Sequence, residues 1–106
     1  MIKKLLFISF LLLSSISFSQ EKSIEKLVAS PNPFSNSTTI SFNSTNNQTV
    51  LISVKNVLGK TVFSKEIEAV EGRNTFPFRR NDLSSGMYIY AIQSNKEFIS
   101  KRFVIR

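Results

Sequence analysis

Residues 83–92 read LSSGMYIYAI, and from Met87 to Ile92 six apolar or aromatic residues follow one another without a break. A run of this kind predicts a strand covered on both faces, and therefore a central one. The residues ahead of it say how the strand is entered. Leu83 can plug the end of a layered fold, Gly86 permits a sharp entry, and Tyr88 follows two residues later. That spacing suits a tyrosine corner, in which the phenol bonds back to the loop backbone while the ring packs inward. Such a feature predicts architecture and no activity.

Working outward, period-two patterns dominate. Ile40 and Phe42 share a face in TTISF, as do Val50, Ile52 and Val54 in TVLISVKNV, with Leu51 the exception. The stretch NSTNNQT, residues 43–49, separates these two strands with turn-forming side chains and predicts a hairpin between them. Gly59 in NVLGK can take the positive φ of a tight connection. In KTVFSKEIEAV, Val62, Phe63, Ile67 and Val70 keep no single parity, which predicts a bulge or bend. Phe76 and Phe78 share a face around Pro77, and a proline that cannot donate to a ladder places that strand at an edge or turns its N–H position outward. Asn95 and Lys96 close a turn before the final strand, EFISKRFVIR. Upstream, EKSIEKLVA fits a helical turn or a short edge strand, and Leu27 and Val28 favour the strand. About seven short strands with turn signals every eight to twelve residues or so predict an all-β, immunoglobulin-like antiparallel β-sandwich; an open barrel is the alternative.

The first residues, MIKKLLFISFLLLSSISFSQ, belong to no such fold. A positive start at Lys3 and Lys4, an apolar run from Leu5 to Leu13, and small residues at Ser17 and Ser19 predict a cleavable signal peptide over residues 1–19. The expected cut lies between Ser19 and Gln20. The run is about half of the 20 or so apolar residues that a bilayer requires. Residues 20–29 then form a short N-terminal segment and 30–106 the folded domain. That mature chain is basic, with twelve Lys and Arg against seven Asp and Glu. On an exported protein, this balance suits the anionic lipid and sugar of a bacterial surface better than nucleic acid.

The inventory of side chains speaks against catalysis. The chain has no histidine and no cysteine, which removes the usual general base near neutral pH, thiol nucleophiles, and nearly all zinc and haem sites. Glu66 and Glu68 would share a strand face, most simply a solvated one. The glycines are scattered at 59, 72 and 86 and form no phosphate loop. Tyr88 and Tyr90 near Arg79 and Arg80 could form a stacking platform for single strands, but aromatics at alternate positions of a central strand are expected in a core. No catalytic residue, cofactor, metal or small-molecule substrate is expected.

One stretch remains, SPNPFSNSTT at residues 30–39. Its two prolines bracket Asn32 and predict a rigid elbow that stops an upstream strand, with Phe34 sealing the end of the fold. PNPF, NVLGKTV, EGRNTFPF, LSSGMYIY and the terminal SKRFVIR, in this order and spacing, resemble the type A C-terminal sorting domain of the type IX secretion system over roughly residues 28–106. The resemblance implies a non-catalytic β-sandwich that serves as an export address. Chains of this kind cross the inner membrane of a Gram-negative bacterium by the signal-peptide route and pass from the periplasm through an outer-membrane translocon. A surface peptidase then removes the domain, and the cargo is released or joined to anionic lipopolysaccharide. The positions that match the pattern are Pro31, Asn32, Pro33, Gly59, Leu83, Gly86 and Tyr88, with Lys101, Arg102, Phe103, Val104, Ile105 and Arg106 in the last strand. As an exposed edge, that strand could offer its backbone to a partner by strand addition. Sorting domains ordinarily follow a large cargo, whereas here only about eight to ten residues lie between the signal peptide and the elbow, so a remnant, a fragment or a small free-standing domain is expected. The rival reading is a small secreted adhesion or carbohydrate-binding domain with the same sandwich.

Overall fold

A computed structural model describes residues 22–106. The predicted signal peptide and its cut at Ser19 and Gln20 lie outside the described residues. The order is β1 (Ile24–Ser30), β2 (Ser37–Ser44), β3 (Gln48–Asn56), β4 (Thr61–Ala69), β5 (Gly72–Arg79), β6 (Gly86–Gln93) and β7 (Phe98–Ile105). No helix occurs among the described residues. The strands form two antiparallel sheets, β1-β2-β5 and β4-β3-β6-β7. They are two separate layers and not one closed barrel.

The period-two faces become the core. Ile40 and Phe42 of one sheet meet Val50, Ile52 and Val54 of the other, all at most 1% exposed. Burying an aliphatic or aromatic side chain of this size contributes about 1.5–3 kcal/mol. Phe103 is the hub, with ring centroids of Phe34, Tyr90, Phe78 and Tyr88 at 5.1, 5.2, 5.6 and 6.1 Å. Burial also pushes the Tyr90 phenol above its ordinary value, with the backbone of Ala29 partly offsetting it. Both tyrosines lie in the core, so they form no stacking platform toward solvent.

Several local expectations hold. Residues 24–30 form a strand that ends directly before Pro31. Pro77 lies in β5, an edge strand paired only with β2. The register shift between β3 and β4 leaves Val62 as the extra residue of a bulge. Gly59 takes φ 86° in a turn that Asn56 organises, its Oδ1 accepting from the N–H groups of Leu58 and Lys60 at 3.0 Å each.

Two expectations fail. Residues 43–49 do not make a hairpin, because β2 and β3 belong to different sheets. The connection crosses between layers, and its polar side chains satisfy that arch: Ser44 Oγ donates to the Asn46 carbonyl at 2.6 Å, and Asn47 Oδ1 accepts from Glu71 N–H at 2.8 Å. Turn-forming composition suits an arch as well as a hairpin. The second failure concerns β6. It is central, between β3 and β7, but its outer face is only partly covered, with Ala91 buried there. Tyr88, Tyr90 and Ile92 point into the core, whereas Met87 and Ile89 are 43% and 37% exposed on the outer face.

Candidate functional site

The residues singled out in the sequence gather at one end of the fold, where the elbow meets the end of β7. Both elbow prolines follow cis peptide bonds. Between them, the Asn32 side chain reaches across to β7. Its Nδ2 donates to the Arg102 carbonyl at 3.1 Å, and its Oδ1 accepts from Val104 N–H at 3.0 Å. Phe34 continues the pattern, donating its N–H to the Val104 carbonyl at 3.0 Å and accepting from Arg106 N–H at 2.8 Å. Together they supply what a neighbouring strand would supply. The Phe34–Ile105 pair is a parallel bridge outside the seven strands.

This overturns one expectation about the terminal strand. β7 is an edge by sheet order, yet from the Arg102 carbonyl to the Arg106 N–H its outward backbone groups are already engaged. The reason is stereochemical. In an antiparallel pair alternate residues point their N–H and C=O away from the partner, so the even-numbered residues of β7 face away from β6. Val104 is one of these, and the elbow has occupied it. The strand's side chains sort by the same alternation. Phe103 and Ile105 are buried, while Val104, 37% exposed, lies beside Met87 on the outer face, and Arg102 beside Ile89.

The remaining predicted residues support this end. Tyr88 donates its hydroxyl to the Ser84 carbonyl at 2.8 Å with its ring buried, as a tyrosine corner requires. Leu83 packs against the core, and Gly86 enters β6 at φ 148° opposite Ile105. Gly59 belongs to the turn closed by Asn56, which is in register with Tyr88. Lys101 stands apart: its side chain lines a groove beside β1, away from the elbow.

Arg80 was missed. Its guanidinium donates to the carbonyls of Leu83 and Ser35 at 3.1 Å each, to Ser85 Oγ at 3.2 Å, and to the Arg106 carbonyl. Its backbone N–H also donates to the Asn36 carbonyl at 3.0 Å. One planar fork thus joins the elbow, the loop ahead of β6 and the end of β7. In RRNDLSSG it reads as one more charge in a polar loop, and nothing local distinguishes it from Arg79. Nothing in the arrangement resembles a reaction centre, and no cluster of three or more metal-ligating carboxylates occurs among the described residues.

The family described as the secretion system C-terminal sorting domain matches residues 28–106. The chain belongs to that family. Sorting domains of this family are export signals of the type IX secretion system, which carries proteins across the outer membrane to the cell surface or medium. No curated protein matches the chain. Among solved structures, the selenomethionine-labelled β-glucosidase of Kluyveromyces marxianus is similar, at 11% identity and a TM-score of 0.51. The match covers 85% of this sorting domain chain and 15% of the glucosidase, so it concerns the fold alone.

Proposed function

We propose that this chain is a non-catalytic export address read by the outer-membrane translocon of the type IX secretion system, and that the surface read is the end where the elbow meets β7. Family membership supports the general role. The observation that carries the proposal is the engagement of Arg102 and Val104 by Asn32, which fuses the first and last pieces of the family pattern into one surface. In this reading the signal peptide delivers residues 20–106 to the periplasm of a Gram-negative bacterium. The translocon then carries the chain to the cell surface or medium, where a surface peptidase and anionic lipopolysaccharide are the further partners. The immunoglobulin-like assignment is supported by the sheet orders β1-β2-β5 and β4-β3-β6-β7 and by the tyrosine corner at the start of β6.

The test is a periplasmic reporter fused ahead of residues 20–106, expressed with and without the translocon. Surface display is expected only with it. Deleting residues 102–106 would also remove the buried Phe103 and Ile105, so loss of display would be confounded with loss of fold. The sharper variant, Arg102→Ser with Val104→Ser, changes outer-face side chains and leaves the backbone bonds to the elbow in place. It should reduce display several-fold with an unchanged unfolding midpoint. Display that survives this change, or that needs no translocon, would count against the proposal.

A further inference from the structure

The elbow covers only half of the outward edge of β7. By the same alternation that turns Val104 outward, Phe98 and Ser100 direct their N–H and C=O groups away from β6, and among the described residues no strand pairs with them there. Facing this open half is β1, whose register with β2 shifts between Glu25 and Val28, with Lys26 at φ 55°. A groove of about 1020 Å³ lies between the two strands. Its floor is apolar, formed by Ile24, Leu27 and Ile99, and Phe98 on its rim is 59% exposed.

The walls carry more positive charge than negative. Lys22, Lys26, Lys96 and Lys101 all line the groove and all are exposed. Of the two glutamates there, Glu97 is engaged with the N–H groups of Ser23 and Ile24, which leaves Glu25. Lysines beside an open edge repel a second copy, since edge-to-edge pairing of two such chains would bring the same cations together. They attract a strand that carries carboxylates. A membrane surface would meet the lysines but could not use the backbone groups of Phe98 and Ser100.

We propose that an extended, acidic segment of another protein adds to β7 at Phe98–Lys101, with its backbone paired to Phe98 and Ser100 and its carboxylates between the lysines of the groove. The addition makes a fifth strand in the sheet β4-β3-β6-β7 at the place where the elbow stops. It is a property of the folded chain in solution and does not require export.

The experiment titrates the purified chain, followed by NMR, with a short peptide of alternating valine and glutamate up to about millimolar concentration, the range of weak transient binding. The Phe98 and Ser100 amides are expected to shift and gain protection from exchange, with the Val104 amide unmoved. Ser100→Pro removes one outward N–H without touching the ladder to β6 and should abolish the effect. The double change Lys26→Glu with Lys101→Glu keeps every backbone donor and should weaken binding roughly tenfold or more, as two exposed ion pairs become repulsions. Equal binding of an alternating valine and lysine peptide would overturn the proposal. So would shifts centred on Val104, or binding to phosphatidylglycerol vesicles with none to the acidic peptide.

Discussion

The side of the molecule where β1 and β7 come together is finished in opposite ways along one strand. From Arg102 to Arg106 the backbone of β7 is covered by Asn32 and Phe34 and locked by Arg80. From Phe98 to Lys101 the same strand meets a lysine-walled groove. An edge can therefore be protected by two unrelated means, occupancy of its hydrogen bonds or charge beside them. Occupancy couples the edge to the core, because the residue that supplies the backbone bonds, Phe34, also packs its ring at 5.1 Å from Phe103. Charge does not.

The covered half should therefore be thermodynamically expensive to disturb. Phe34→Ala is expected to cost about 3–5 kcal/mol, the range for truncating a buried aromatic, and to accelerate amide exchange at Val104 and Arg106. A denaturation midpoint close to that of the parent would mean that the elbow is not part of the core. Arg80→Met keeps most of the aliphatic bulk and removes the fork, so it should cost about 1.5–3 kcal/mol, the value of hydrogen bonds made by a charged group. Arg80→Lys should recover little of it, since one ammonium cannot span carbonyls on three segments. Asn32→Ala strips two bonds near the surface and should cost about 1–2 kcal/mol. Equal exchange at Val104 in this variant and the parent would show that the Asn32 side chain does not protect that amide.

The open half should give the smallest effect and a pH dependence of its own. Burial opposes ionisation of Glu97, but the N–H groups of Ser23 and Ile24, with Lys22, outweigh it and hold the carboxyl below its ordinary value of 4.5. A carboxyl depressed in the folded state contributes stability that is complete above 4.5 and is lost as the pH falls through the folded value. Acidification should therefore shift the Ser23 and Ile24 amides while Val104 stays put. The same titration of Glu97→Gln should leave all three unmoved, and a shift that persists in that variant would assign the tie to another group.

How much of this was legible depended on whether the signal is local. The alternation at Ile40, Phe42, Val50, Ile52 and Val54 announced strands because a side chain's face follows from its own parity. The tyrosine corner could be read because its donor and acceptor lie four residues apart. Sheet membership could not. NSTNNQT has the composition of a turn, and whether the turn folds back into its own sheet or arches to the other is decided by the pairing of β2 with β5 and of β3 with β6, both far along the chain. The open face of β6 was hidden for a related reason, since Met87 and Ile89 are as apolar as their buried neighbours. Asn32 did carry a signal, a polar side chain immobilised between two prolines, but its target lies 72 residues away. Arg80 carried none.

The Asn32 amide bonds to a residue 72 positions later, so the contact that closes this end of the fold joins residues made far apart in time. Contacts of such long sequence separation form late and slowly. Until the chain has been made through Arg106, the Phe34 carbonyl has no partner, Arg80 has one carbonyl fewer to hold, and Phe103 and Ile105 are missing from the core. An incomplete chain should thus remain loose and open to proteolysis, and completion should come as a single late step. The domain's compact form is in this sense a record that β7 has been made.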